Sequence, residues 1–281
     1  MSVLKQNFSD ISVYRGVSTI GNRERYEMHT HQSAEILCFL SGKGIYHIEG
    51  STYELTPGDI LLMRPSESHF IEVDFMYDYD RIVLNFDPGL LSSIDADGAL
   101  MRAFYEREPG KRNCYKSTDF SSEKYREFLN NMIDPPADRF TIIGNLIFLL
   151  REINKVFDRN DWVKEPDTIE NKIIAYINSN LEEDLSIKKL CNTFLMCRAK
   201  LCQILKNATG TSVGNYIKTK RLLKAQELIF DGNKPTKVCE MCGYHDYSTF
   251  YRAYNKFFGY SPKEKNSEFV KMGAIESYDA L

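Results

Sequence analysis

Four side chains near the N-terminus have the residue types and the spacing of a binding site. One residue separates His29 from His31, so on a strand both side chains point to the same face. Glu35 lies four residues after His31 and would point to that face as well. His69 lies on a later apolar segment, which as a neighbouring strand could bring its imidazole to the same place. Three imidazoles and one carboxylate suit a divalent transition metal such as Fe(II), Mn(II), Ni(II) or Zn(II). The same residues, with Tyr46 beside them, could instead line a pocket for a small polar ligand, or only hydrogen-bond to one another.

Two helices in the C-terminal part are predicted to have one apolar and one polar face. The first runs from about Cys197 to Ala208 and closes at Gly210, and the second is capped by Asp246. The inward residues recur at helical spacing; they are Leu201, Ile204 and Leu205, then Phe250, Tyr254 and Phe257. Each helix follows a short helix and a turn, which is the form of a helix-turn-helix that reads DNA.

A long helix from about Ser212 to Phe230 is predicted between these two units. At 1.5 Å per residue its roughly 19 residues span about 29 Å, against about 34 Å for one turn of B-DNA. A rigid helix of that length could place both polar faces in successive major grooves on one side of the duplex. Basic residues on and near it would contact phosphates; they are Arg198, Lys200, Lys218, Lys220 and Arg221.

Short apolar runs between residues 34 and 86, separated by Gly, Pro and acidic turns, predict the strands of a sandwich or small barrel. Helical periodicity follows Pro88, with helices predicted over 90–107, 120–133 and 138–157. The last of these is the best candidate for dimerisation, although its apolar stripe could only pack on the barrel.

The chain is therefore predicted to have an α+β fold with two domains. Residues 1–158 would form a β-barrel, over about 10–87, with trailing helices over about 88–158. Residues 159–167 form a polar linker, and residues 168–271 form an all-α domain.

Charge separates the same two parts of the 281-residue chain, whose formal net charge is −3. Residues 168–271 carry 17 Lys and Arg against 10 Asp and Glu, whereas residues 1–167 carry 19 against 27. A basic part joined to an acidic part indicates that only the former meets a polyanion.

Composition excludes several classes of protein. A hydrophobic content of 43% is too high for a largely disordered chain. The first residues lack the basic stretch and apolar run of a signal peptide, and the most apolar segment, 141–150, is too short to span a bilayer. We therefore expect a soluble, cytoplasmic protein that does not bind membranes.

Residues Ser212 to Ser261 resemble the DNA-binding domain of the AraC-type (arabinose-regulator) transcription factors. The matching features are Gly210-Thr-Ser212, Tyr216-Ile217, Arg221-Leu222 with Ala225, Gly243-Tyr244, Ser248-Thr-Phe250, Tyr254-Asn-Lys256, Phe258-Gly259 and Ser261-Pro262. The resemblance implies a double helix-turn-helix with two recognition helices. By position, it implies that the base-facing residues are Ala199, Cys202, Gln203, Tyr247, Ser248, Thr249 and Arg252.

The N-terminal polar residues belong to a pattern that resembles the two cupin motifs. His29-Thr-His31, Glu35 and Gly42 match the first motif, and Gly58-Asp59, Pro65 and His69 match the second. This resemblance implies a small cupin-like barrel with a central pocket. Such a sensor barrel commonly precedes AraC-type DNA-binding domains.

Together, the resemblances imply a ligand-responsive transcription regulator and not an enzyme. A small-molecule effector would bind the barrel and double-stranded DNA would bind the helical domain of a homodimer. The family most often implies activation through RNA polymerase. Two other interpretations stay open. One is a metal-dependent cupin enzyme with a DNA-binding tail. The other is a degenerate regulator that acts through protein contacts, since Cys197 stands where the family usually has Ser and Lys265-Asn266 where it has an aromatic residue and Arg.

Overall fold

The structure is a computed structural model that describes residues 3–19, 26, 28–134, 137–159 and 168–264. These residues fall into two compact units, 3–159 and 168–264. Most of the predicted linker 159–167 and the predicted end of the second domain, 265–271, lie outside the described residues, so those bounds stay predictions.

The first unit is built on antiparallel strands in two sheets. The larger sheet has the order β1-β2-β8-β3-β6-β9 and the smaller has the order β5-β4-β7. The strands are β1 Val3–Asn7, β2 Ile11–Ser18, β3 Ala34–Ser41, β4 Gly44–Ile48, β5 Ser51–Glu54, β6 Ile60–Met63, β7 His69–Val73, β8 Tyr79–Phe86 and β9 Cys114–Tyr115. The predicted strand-rich barrel is therefore confirmed.

Both faces of the larger sheet are apolar because each is covered. On β3, Leu37 and Phe39 pack in the interior with Tyr46 of the smaller sheet. Their neighbours Ile36 and Cys38 point to the opposite face and pack with the helices. Side chains at odd positions of β3, including Glu35, therefore share the interior face.

Helices cover the outer face of the larger sheet. They are α1 Arg102–Tyr105, α2 Lys124–Ile133 and α3 Arg139–Phe157. The predicted start of α3 is confirmed, since the carboxylate of Asp138 accepts a hydrogen bond from the Thr141 backbone N–H. The helix or pair of helices predicted over 90–107 forms only in part. Only short 3-10 turns and α1 form there, because Gly98 adopts φ +67° and breaks the helical path.

The second unit is all-α, as predicted. Its helices are α4 Ile169–Ser179, α5 Ile187–Thr193, α6 Arg198–Thr209, α7 Val213–Phe230, α8 Pro235–Met241 and α9 Tyr247–Phe258. Gly210 and Gly259 end α6 and α9 in the left-handed conformation. None of the described helices of the chain is long and apolar enough to cross a membrane.

Two sub-cores fill this second unit, and α7 contributes to both. The first sub-core joins α4, α5 and α6 to the start of α7 through Tyr216 and Ile217. The second joins the rest of α7, through Leu222 and Ile229, to α8 and α9. Each sub-core therefore supports one helix-turn-helix, and α7 connects them.

Candidate functional site

Three of the five predicted ligand-binding side chains converge inside the barrel. His31 lies just before β3, Glu35 is the second residue of β3, and His69 begins β7; all three are buried. One possible ligand atom from each lies within 4.8 Å of the others. His31 Nε2 and Glu35 Oε2 are 2.9 Å apart.

Backbone carbonyls orient both buried imidazoles. His31 Nδ1 lies 2.9 Å from the Ser33 carbonyl oxygen, and His69 Nδ1 lies 2.8 Å from that of Glu67. With Nδ1–H donating to its carbonyl, a neutral His69 presents Nε2 as an acceptor or ligand atom. His31 Nε2 faces the Glu35 carboxylate, which accepts, so a proton or a cation has to lie between these two atoms. This arrangement is typical of histidines that hold metals or polar ligands.

One carboxylate oxygen of Glu35 faces the cluster without a hydrogen bond from the described part of the chain. Its Oε1 is buried and has no hydrogen-bond partner among the described residues. Because a buried carboxylate oxygen is costly to leave without a partner, this atom favours a site that receives a donor or a cation.

The other two predicted ligand-binding residues lie at the border of this cluster. The Tyr46 ring is buried and stacks on His69 with ring centroids 6.0 Å apart. The ring of His29 lies 4.3 Å from that of His69, but His29 is half-buried and outside the set of converging ligand atoms. The converging atoms therefore come from three of the four predicted metal ligands, and metal binding itself stays a prediction.

A buried ion pair behind His69 was not predicted from the sequence. Arg107 Nη1 and Nη2 each donate to a Glu67 carboxylate oxygen at 2.7 Å, and the Gly110 N–H donates to the same carboxylate at 2.9 Å. Burial opposes ionisation, but the Arg107 guanidinium holds the pKa of Glu67 below its usual value. This pair fixes the backbone that orients His69. The 40-residue separation of the partners gave no local signal.

The α6 helix exposes only part of the predicted base-facing set. Ala199 and Gln203 are exposed, and Gln203 Nε2 donates to Asn207 Oδ1 at 2.6 Å. Cys202 is half-buried and packs against the first sub-core, so its predicted outward position is corrected.

The α9 helix exposes a longer polar face. Ser248, Thr249 and Arg252 are exposed, and Asp246 caps the helix by accepting from the Thr249 N–H at 2.9 Å. Tyr247 is half-buried, with its ring 5.8 Å from that of Phe250. It packs on the second sub-core, so it supports the helix instead of extending from it.

The predicted phosphate contacts divide by their surroundings. Arg198, Lys200 and Lys218 are exposed, whereas Lys220 is half-buried with its Nζ 5.8 Å above the Tyr216 ring. The predicted phosphate contact of Arg221 is wrong, since its three guanidinium nitrogens all donate to backbone carbonyls within the unit. Its geometry is that of a structural contact, not of a phosphate contact.

Two family models match the chain, one on each unit. The AraC-like ligand binding domain matches residues 14–110, and the Helix-turn-helix domain matches residues 190–267. Together they cover more than half of the chain.

Similar proteins align over most of the chain. The HTH-type transcriptional activator RhaR of Enterobacter sp. (strain 638) is 23% identical over 248 residues, covering 83% of this chain and 84% of that protein. The Msm operon regulatory protein of Streptococcus mutans serotype c is 23% identical over 239 residues, covering 82% of each. The crystal structure of unsaturated fatty acid bound ToxT from Vibrio cholerae strain SCE256 aligns over 95% of this chain and 97% of that one, with 13% identity and a TM-score of 0.41.

Both matched domains occur in the order that the resemblances implied, and the relatives align across both. The chain therefore belongs to the AraC-type family of DNA-binding transcription regulators, with an AraC-like ligand binding domain followed by a helix-turn-helix domain.

Proposed function

We propose that this regulator activates transcription by placing α6 and α9 in two successive major grooves, under the control of a small polar effector bound in the barrel. The observation that carries the proposal is the pair of half-exposed helices, each packed on a separate sub-core and each showing polar side chains outward. The 18 residues of α7 correspond to about 27 Å at 1.5 Å per residue, which is close to one turn of B-DNA.

Exposed cations near these helices support the same arrangement. Arg198 and Lys200 lie in the first turn of α6, and Lys218 lies on α7. Phosphate contacts from such residues set affinity and register, whereas base contacts set sequence preference. We assign the first role to these three cations and the second to Ala199, Gln203, Ser248, Thr249 and Arg252.

The direction of control and the partners follow from the family. A relative such as RhaR is named a transcriptional activator, and activation through RNA polymerase is what the family most often implies. We therefore propose RNA polymerase as a partner, cytoplasmic DNA as the target and no catalytic reaction.

A second copy of the chain is the proposed partner of α3. Phe140 is 80% exposed and Phe148 is 50% exposed, whereas Leu146 and Leu150 of the same helix are buried against the barrel. Gly144 lies between the two phenylalanines, and a Cβ built there meets nothing within 4 Å. An apolar stripe with a small residue at its centre suits close packing against the same stripe of a second copy.

The effector site is proposed from the converging cluster. His31, Glu35 and His69 would hydrogen-bond a small polar molecule, with Tyr46 as an apolar wall and His29 at the border. Regulation requires that this molecule bind one arrangement of the protein better than another.

A divalent transition metal is a second candidate for the same site, favoured by the unused Glu35 Oε1. Two imidazoles and one carboxylate fit Fe(II), Mn(II), Ni(II) or Zn(II), and His31, Glu35 and His69 would hold the ion. A bound ion would act as a Lewis acid for an anionic effector. Metal analysis of the full-length chain after incubation with each ion and dialysis tests this candidate. One equivalent in the wild type that is lost in Glu35→Gln supports it, and no retained metal rejects it.

Selection of duplexes from a random library by the purified full-length chain tests the DNA-binding half. We expect one enriched sequence family with two conserved segments, and weaker enrichment by Arg252→Ala. If no sequence is enriched, or if Arg252→Ala enriches the same family equally well, the proposal fails.

A further inference from the structure

One arginine of α7 joins three segments of the DNA-binding unit. Arg221 Nε donates to the Leu181 carbonyl at 2.8 Å, Nη2 donates to the Glu183 carbonyl at 2.7 Å, and Nη1 donates to the Gly243 carbonyl at 3.0 Å. The planar guanidinium suits this geometry because its donors point in fixed directions.

The three acceptors lie on opposite sides of the division between the sub-cores. Leu181 and Glu183 belong to the loop between α4 and α5, and Leu181 packs in the first sub-core. Gly243 lies in the turn between α8 and α9, and the preceding Cys242 packs in the second sub-core. Arg221 therefore connects the two helix-turn-helix units through hydrogen bonds as well as through α7.

The turn that precedes α9 lies directly against the loop that Arg221 holds. Gly243 has φ +70°, and a Cβ at that position would lie 2.6 Å from the Leu181 carbonyl oxygen and 2.7 Å from Arg221 Cζ. Such distances leave no room for a side chain, so this residue has to be glycine. An ion pair between Lys224 Nζ and Glu182 Oε2, at 3.1 Å, crosses the same junction.

We infer that Arg221 is a positioning residue that fixes the separation and rotational phase of α6 and α9, and so makes the protein selective for the spacing of the two DNA segments. The inference rests on the proposed function, in which the two helices enter successive grooves. Each inserted base pair shifts the second segment by about 3.4 Å and rotates it by about 35°. A small tilt between the sub-cores would therefore reduce the difference in affinity between duplexes of different spacing, even if each helix still bound its own segment.

Spacing selectivity of the full-length chain tests this inference. The probes are the duplex selected from a random library and its derivatives with one base pair inserted or removed between the two conserved segments. We expect the wild type to bind both derivatives at least about ten-fold more weakly, comparable to the cost of a mismatched base pair. In Arg221→Lys, whose single nitrogen cannot reach three carbonyls, this ratio should fall to about three-fold or less.

Two further variants separate positioning from charge and from folding. Lys218→Gln removes a positive charge from α7 without touching the junction, so it should weaken binding to all three duplexes and keep the ratio. Arg221→Gln also removes the contact with three carbonyls but leaves no charge at the junction, so it should lower the ratio as Arg221→Lys does. It decides the question if circular dichroism shows that Arg221→Lys is unfolded.

The outcomes distinguish the inference from the function on which it rests. A wild-type ratio retained in Arg221→Lys, or in Arg221→Gln where Arg221→Lys is unfolded, overturns the positioning role. So does a wild type that binds the selected duplex but ignores the spacing. A wild type that selects no duplex overturns the proposed function, and the inference with it.

Discussion

At the scale of single residues, basic side chains of the DNA-binding unit differ in what their nitrogens already contact. Arg252 is exposed on α9, and its Nε donates to the Ser248 carbonyl of the same helix at 3.3 Å. Arg221 is also a basic residue of a helix in this unit, yet its guanidinium nitrogens already donate to three backbone carbonyls. Periodicity predicts which residues lie on a helix, but it does not reveal which backbone carbonyls a long side chain reaches. The predicted phosphate role is therefore wrong for Arg221, and for the exposed Lys218 it stays a prediction.

Arg252 should contribute to sequence preference. Replacing it with alanine removes up to two hydrogen bonds to a base edge, so we expect affinity for the selected duplex to fall about 10- to 100-fold, or roughly 1–3 kcal/mol. Fluorescence anisotropy with the selected and a scrambled duplex measures this effect.

The matched control for Arg252→Ala is Lys218→Gln. This change should weaken binding to both duplexes alike and reduce the salt dependence by about one phosphate contact. An Arg252→Ala chain that loses affinity equally for both duplexes would show that Arg252 contacts only phosphate.

At the scale of elements, short apolar runs predicted the strands because alternate residues of each run must be buried against another layer. Strand parity predicted that His31 and Glu35 share a face, and the two side chains do meet. His31, however, precedes β3 and a bend at 32–33 separates it from the strand, so the bend and not strand parity brings it to Glu35. The loop that holds His69 was not predictable. Its position depends on the pairing of Glu67 with Arg107, which are distant in sequence and meet only in the folded unit.

Breaking the Glu67–Arg107 pair should destabilise the first unit. Glu67→Gln leaves the Arg107 charge buried, and we expect the free energy of unfolding at pH 7 to fall by about 3 kcal/mol. Because the folded-state pKa of Glu67 is lowered, its stabilisation is present above about pH 4.5 and is lost as the pH falls through the folded-state value. The difference between wild type and variant, measured by urea unfolding, should therefore shrink at acidic pH.

An exposed ion pair provides the control for this measurement. Lys155 Nζ and Glu152 Oε1 are 2.6 Å apart on α3, and the Lys155 side chain is 64% exposed. Lys155→Gln should cost less than about 1 kcal/mol. A Glu67→Gln cost as small as that of Lys155→Gln would mean that the buried pair does not hold the site.

The exposed apolar stripe of α3, with Phe140 and Phe148, should form the dimer interface. Phe140→Glu places a charge in the proposed interface, so we expect a monomer by size-exclusion chromatography with light scattering. Ile94→Glu is the control, because Ile94 is 62% exposed but lies outside α3. If Phe140→Glu stays dimeric, or if the wild type is monomeric, the proposed interface is wrong.

At the scale of the whole molecule, the uneven charge distribution agrees with the division into two units. The basic excess lies in the part that forms the all-α unit, and the acidic excess lies in the part that forms the barrel and its helices. A polyanion is therefore attracted to one unit and repelled by the other. This division could be predicted from residue counts, whereas the effector could not, since its chemistry depends on the shape of an interior that residue types alone do not define.

Hydroxyl-radical footprinting of the selected duplex by the full-length chain shows whether α6 and α9 enter successive major grooves. We expect two protected segments per bound subunit, about 10 base pairs apart on one side of the duplex, with the segment read by α9 less protected in Arg252→Ala. Protection of a single segment, or of two segments on opposite sides of the duplex, would contradict this placement of the two helices.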